Sequence, residues 1–331
     1  MGITFKSTKP FKILTFGVLA LALVACGDKA EDTPKNDNST TDEVSTTEDT
    51  SKEARTLTDA LGNKVEVPAE PKRVIASYLE DPLVALGITP IAQWSLNEGA
   101  SVQGYLQDSL KDVDLINYDL PFEEVQSFEP DLIIMDSPNM VEGGKYGQYS
   151  AIAPTYVIGA ELNNDWREEL KTVGSIFGME DKAEEVISDY ETKASEAKAQ
   201  IEEKVGKKSA VAIWLVGGSF FVVNQDLSSG DVLYNDLGFE VPAVVKEISA
   251  SGENNWNAVS LEKLVELDAD YLFLVNSDGS ESTTLSDALW KSIPAVQSGN
   301  VYEFNPDSSW LYTGAIANDQ IIDDVLESVV K

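Results

Sequence analysis

Phe122-Glu123-Glu124-Val125-Gln126-Ser127-Phe128-Glu129-Pro130-Asp131-Leu132-Ile133-Ile134-Met135 reads as one unit: a short helix, a turn and a buried strand. The unit returns at Leu261-Glu262-Lys263-Leu264, with Leu267, Ala269-Asp270 and Tyr271-Leu272-Phe273-Leu274 at the same spacing. Any helix–strand pair shares apolar positions of this kind. These two also share an acidic residue at the second position and an Asp at the turn, both polar. The repetition predicts two similar lobes, each a sheet with helices on its faces.

Working outward, Glu180 to about Val205 carries Ala183, Val186, Ile187, Tyr190, Ala194, Ala197 and Ile201 at steps of three and four, with no Gly or Pro. That is one long amphipathic helix joining the lobes. Upstream, Thr56 to Val67 reads as a hairpin turning at Gly62-Asn63. Arg73–Ala76 (strand), Pro82–Leu86 (helix) and Thr89–Gln93 (strand) follow. Downstream, Ser209–Val223 is a strand or hairpin around Gly217-Gly218, Leu261–Leu267 a helix, Tyr271–Val275 a strand and Ile316–Val330 the last helix. The fold class is α/β, two-lobed, with a single long interlobe helix. The expected divisions are 1–25, 26–55, 56–178 (first lobe), 179–206 (interlobe helix) and 207–331 (second lobe). The cleft between lobes is the default ligand site.

The N-terminal divisions follow from Cys26, the only cysteine. A basic start (Lys6, Lys9, Lys12) and an apolar run from Ile13 to Ala25 precede it, with the length of a signal-peptide core. Leu23-Val24-Ala25-Cys26 resembles the lipobox of bacterial lipoproteins. That resemblance implies that Cys26 becomes the first mature residue and carries diacylglycerol on its thiol and an acyl chain, such as palmitate, on its amine. Gly27 to about Ala54 is polar with no aromatic residue and is expected to be a flexible tether. A tether of about 28 residues reaches roughly 30 Å. The protein is therefore expected on the extracytoplasmic face of the membrane, held by lipid rather than by a helix. A long tether suits a cell with one membrane, hence a Gram-positive one.

Composition excludes several classes. The chain has no histidine, so Ser-His-Asp triads are out and a directly bound zinc, copper or haem iron is disfavoured. The formal net charge is -33, and losing the three leader lysines takes it to about -36, a poor surface for nucleic acid. Such acidity suits neutral or cationic ligands. Arginine occurs only at Arg55, Arg73 and Arg167.

Pro71-Lys72-Arg73-Val74-Ile75, Ala85-Leu86-Gly87-Ile88, Phe128-Glu129-Pro130-Asp131-Leu132-Ile133-Ile134 and Trp290-Lys291-Ser292-Ile293-Pro294-Ala295-Val296 stand in a telling order. Together they resemble the substrate-binding lipoproteins of bacterial ABC importers, in the group serving siderophores, haem and cobalamin, from Thr56 to the C-terminus. The resemblance implies a class III periplasmic-binding-protein architecture, small closure on the ligand and no enzymatic activity. It also implies that Glu123 and Glu262, each starting a helix, dock onto arginines of an ABC permease dimer. A first-turn Glu is favoured by the helix dipole and stays ionised; helix capping is the alternative role.

For the ligand, Trp256 (in Asn254-Asn255-Trp256-Asn257) and the pair Trp310 and Tyr312 sit in polar segments at strand or helix ends. Large aromatics there are better binding candidates than core candidates. They resemble cleft aromatics of ferric-hydroxamate-binding members of the family. Trp94, after a strand, and Trp166 with Arg167, at a helix start, are further candidates, with Tyr118 and Tyr146 weaker ones. Trp214 and Trp290 are expected in the core. A ferric tris-catecholate carries about three negative charges and needs clustered cations. Here only Arg167 is placed to help, with lysines such as Lys145 left open. A neutral or cationic ferric hydroxamate (ferrichrome or ferrioxamine type) needs an aromatic wall instead, and the siderophore supplies all ligands to iron. The expectation is thus a monomeric ferric-siderophore receptor with no cofactor and no metal ligated by protein. Alternatives are a catecholate, cobalamin, or haem on Met135 or Met140; a lipid-anchored surface hydrolase is more distant, since no motif singles out a carboxylate pair.

Overall fold

The computed structural model describes residues 53–96, 99, 101–159, 165–251, 254–280 and 282–331. The expected signal peptide, Cys26 and the tether up to residue 52 lie outside these residues. Among the described residues no helix is long and apolar enough to cross a membrane.

The chain opens with the hairpin β1 (Arg55–Thr58) and β2 (Lys64–Val67), closed by Asp59, whose Oδ1 accepts from the backbone N–H groups of Leu61 and Asn63. Arg55, within the expected 26–55 division of lipidated Cys and tether, is instead the first residue of β1. Its guanidinium donates to the carbonyls of Ser175 and Ile176, at the end of the helix Trp166–Phe177. Orphan carbonyls at a helix end attract such a cation.

The first lobe holds β3 (Val74–Ala76), β4 (Ala92–Ser95), β5 (Asp114–Asn117), β6 (Leu132–Met135) and β7 (Thr155–Val157). Order β3-β6-β7 is parallel, as is the pair β4-β5. Every residue of β6 is buried because both faces are covered. Leu132 and Ile134 face the core shared with the long helix; Ile133 and Met135 face a second cluster with Ile75, Ile116, Leu120 and Val125.

The second lobe is one sheet in the order β10-β9-β8-β11-β12, made of β8 (Ala210–Val216), β9 (Ser219–Val223), β10 (Trp256–Val259), β11 (Tyr271–Asn276) and β12 (Val301–Phe304). The β8-β11-β12 part is parallel, whereas β9 and β10 are antiparallel. The helix Glu180–Lys204 runs between the lobes and buries Ala183, Ile187, Tyr190, Ala194, Ala197 and Ile201, as its periodicity predicts. The C-terminal helix Ala315–Val329 packs on this long helix and also on Glu80–Ala85 of the first lobe.

The repeated Asp has a structural cause. Asp131 accepts from the backbone N–H groups of Lys72 (2.8 Å) and Arg73 (2.9 Å), just before β3. Asp270 accepts from the N–H of Ser209 (2.9 Å) and from Lys208 Nζ (2.8 Å), just before β8. In each lobe the Asp entering one strand sets the start of its parallel neighbour. Asp131→Ala is expected to cost about 1–3 kcal/mol, the loss of two charge-assisted hydrogen bonds, read by urea denaturation.

Candidate functional site

The turn leaving β3 is Ser77-Tyr78-Leu79, and it feeds the helix Glu80–Ala85. Ser77 Oγ donates to Asp136 Oδ1 at 2.7 Å and accepts from the Asp136 N–H, so the ends of β3 and β6 are clamped together. The turn forces Tyr78 to φ 54°, a left-handed conformation costly for a bulky residue, and leaves the side chain 42% exposed. Its ring stands edge-on to Trp94 at 4.8 Å, and Trp94 is edge-on to Tyr118 at 6.3 Å. Trp94 Nε1 donates to the Tyr118 carbonyl at 3.0 Å. These three residues form an aromatic wall at the C-terminal ends of β3, β4 and β5, where open parallel sheets bind ligands.

Behind the wall lie two buried acids. Glu80 accepts from the Trp94 N–H (2.7 Å) and from Gln103 Nε2 (3.0 Å). Asp81 accepts from the Tyr105 hydroxyl (2.9 Å) and from the N–H groups of Ile316 (3.2 Å) and Ala317 (3.0 Å). Asp81 thus caps the C-terminal helix from the opposite lobe. Gly314, just before that helix, is required: a Cβ there would lie 2.3 Å from the Asp81 carboxyl carbon. No cation pairs with either acid among the described residues. Burial therefore pushes Glu80 up to about 7 and Asp81 up to about 6, with their backbone hydrogen bonds opposing the shift. A raised pKa means the folded state holds its proton more tightly than the unfolded state. The resulting stability is full below pH 4 and is lost as pH rises through 6 to 7. Glu80 alone is expected to account for up to about 3 kcal/mol across that window. Glu80→Gln should flatten the fall in melting temperature between pH 5 and pH 8.

Tyr312 meets the first lobe. Its ring lies 5.1 Å from that of Tyr105, and its hydroxyl donates to the Val102 carbonyl at 3.4 Å. Gly104 allows this approach: a Cβ there would be 2.6 Å from Asp307. Tyr312 continues into a recess of about 270 Å³ lined by Asp165, Trp166, Asp226, Ser228, Asp231 and Thr313. Ser228 Oγ donates to the Tyr312 carbonyl at 3.1 Å, and Ser228 itself sits at φ 53°. One strained non-glycine residue therefore stands on each side of the cleft, Tyr78 and Ser228.

Of the residues expected from sequence, Trp94 and Tyr118 meet in the wall and Tyr312 faces it from the second lobe. Trp166 lines the recess but is only 5% exposed. Trp310 is corrected: it is fully buried, stacked on Phe273 (4.8 Å) and Phe304 (4.9 Å), with Nε1 donating to Asp324. Asp307 is exposed and Ser308 half-buried, whereas the short helical turn Ser309–Leu311 folds Ser309 and the indole back onto the sheet. Arg167 is also corrected. It ion-pairs with Asp236 (3.3 Å) and Glu191 (3.4 Å) and lies over the Trp166 ring, turned toward the long helix. Trp256 lies in strand β10, not a loop, and packs half-buried beside Trp214. Tyr146 packs within the first lobe, donating to the Thr155 carbonyl. Trp290 is core, stacked on Phe220. Glu123 and Glu262 are both exposed in first helical turns.

Arg73 donates to the Phe128 and Glu129 carbonyls, so all three arginines serve structure. Among the described residues no group of three His, Cys, Asp or Glu could hold a metal ion. The cleft can stack on a ligand and accept hydrogen bonds from it.

Residues 82–308 match the model of the periplasmic binding protein family. The probable siderophore-binding lipoprotein YfiY of Bacillus subtilis is 29% identical over 95% of both chains. The iron(3+)-hydroxamate-binding protein FhuD of Bacillus subtilis is also 29% identical, again over 95% of both. Among solved structures, a FhuD-fold component of a Fep/Fec-like ferrichrome ABC transporter from Bacillus subtilis superposes with a TM-score of 0.69 at 26% identity. That match covers 82% of this chain and 99% of the other.

Proposed function

This chain belongs to the periplasmic binding protein family, and from that premise we propose that it is the receptor of an ABC importer, binding a ferric siderophore of hydroxamate type between its lobes. The observation that carries this is the Tyr78–Trp94–Tyr118 wall in a cleft whose described lining offers no free arginine. A ferric trihydroxamate presents a compact, largely apolar shell with iron fully ligated, so it needs stacking surface rather than protein ligands. Relatives named for siderophore and ferric-hydroxamate binding support the same chemistry. Tyr78, Trp94, Tyr118, Trp166 and Tyr312 form the binding surface on this reading. The receptor is a monomer, not an enzyme, anchored outside the cytoplasmic membrane through Cys26.

Titrating the protein with ferrioxamine B, ferrichrome, a ferric tris-catecholate, cobalamin and haemin, following tryptophan fluorescence, tests the reading. Quenching by the hydroxamates at micromolar concentration or below supports it; quenching by the catecholate alone sinks it.

Delivery would run through Glu123 and Glu262, one exposed carboxylate per lobe at equivalent places in the repeat. Reversing both, Glu123→Arg with Glu262→Arg, is expected to cut uptake of radiolabelled iron complex at least tenfold in cells. Affinity of the purified variant should stay within about twofold, since a few screened rim charges far from the ligand add little.

A further inference from the structure

Resting on the receptor reading, we propose that the cleft selects its ligand by charge, taking a cationic ferric complex whose protonated primary amine enters the recess of Asp165, Asp226 and Asp231. The recess, about 270 Å³, is too small for a whole siderophore complex but holds an aminoalkyl end. Its lining residues Ser228 and Thr313 adjoin Tyr312, Ser228 through a hydrogen bond to the Tyr312 carbonyl, so on this proposal a complex stacked on the aromatic wall extends a pendant chain into it.

The charge inventory of this region is one-sided. Asp165 and Asp226 are exposed at the rim, while Asp231 is partly buried and accepts from the Asn235 side chain at 2.6 Å. Burial raises the Asp231 pKa, and the charges of Asp236 and Asp165 add to that; Asn235 and Arg167 oppose it. The charge of Arg167 reaches Asp231, but its guanidinium is held by Asp236 and Glu191. Among the described residues Asp165 bonds only to backbone, capping the helix through the Arg167 and Glu168 N–H groups.

A separate observation points to an occupant. Trp166, 5% exposed, lines the recess, and its indole N–H has no acceptor among the described residues. Asn255 lines it too, and its side-chain oxygen has no donor there. Unpaired buried polar groups are costly, and a ligand that pairs them removes the cost. An ammonium has three donors and no acceptor, which matches carboxylates and an amide oxygen. A hydroxamate or amide oxygen on the same ligand supplies what the indole N–H lacks. An anionic complex would meet the carboxylates of Asp165, Asp226 and Asp231 there.

The test compares ferrioxamine B, which carries a free ammonium, with the same complex N-acetylated at that amine, by fluorescence titration of the full protein. The protein is expected to bind the cationic form at least about tenfold more tightly, as a close charge pair implies. In Asp226→Asn with Asp231→Asn, the ratio should fall to about one. Should that variant fail to fold, Asp226→Asn alone, at an exposed residue, should lower the ratio. Equal affinities in the parent protein, or a ratio unchanged in the variants, would overturn the proposal. Binding of neither form would overturn the receptor reading itself, and the charge selection with it.

Discussion

Trp310→Ala is expected to destabilise the protein by about 3–5 kcal/mol, the usual cost of emptying a large aromatic site in a packed core. The indole is fully buried between Phe273 and Phe304, so its removal leaves a cavity under the parallel part of the second sheet. Asp324, whose pKa burial already raises, also loses the Nε1 donor that lowers it. Chemical denaturation reads the loss. The ferrioxamine B affinity of the folded fraction should stay within about threefold of the parent, because core truncation away from a site adds little to binding. A large loss of affinity with unchanged stability would return Trp310 to the ligand.

The second large effect is on binding. Tyr78→Gly and Trp94→Ala are each expected to weaken ferric hydroxamate binding about tenfold, as for aromatic anchors that a ligand covers; because the two rings touch, the double variant should lose less than the product of the two. The two differ in stability. Glycine occupies φ 54° without a Cβ clash, so Tyr78→Gly relieves strain while it removes the ring. Its unfolding free energy should be no lower than the parent's. A strained, exposed aromatic that is retained at that cost is best explained by what it touches, and the fluorescence titration of this variant measures that directly.

The architecture was legible because it rests on periodicity. The spacing of Ala183, Ile187, Tyr190 and Ile201 specifies the long helix, and the paired Asp131 and Asp270 mark equivalent turns of the two lobes. The cleft was legible in part. Trp94 and Tyr118 were readable from their places near strand ends, Trp94 inside the end of β4 and Tyr118 just past β5, since strand ends carry ligand sites in parallel sheets. Trp310 misled because polar neighbours suggest exposure, whereas the burial of an indole depends on a turn whose direction a linear pattern does not encode. Arg167 misled for a related reason: its partners Glu191 and Asp236 are distant in the chain, so its engagement appears only in three dimensions. Tyr78 was missed because its importance comes from backbone conformation. One signal was present: Glu80-Asp81, one short turn past a buried strand, is an unusual place for two acids, and both prove to be buried beneath the wall.

Besides the Tyr312 contact with Tyr105 and Val102, two carboxylate ties link the lobes. Asp81 caps the C-terminal helix, and Arg167 with Tyr190 grips Asp236 beside the long helix. Both resist opening of the cleft.

Anomalous scattering at the iron edge, from crystals grown with ferrioxamine B, tests the central claim most directly. The account predicts one iron peak between the Tyr78–Trp94–Tyr118 wall and Tyr312, with no protein atom within about 2.5 Å, the limit of a direct bond to the metal. No peak in the cleft, or iron bonded to Asp231 or another protein carboxylate, would contradict it.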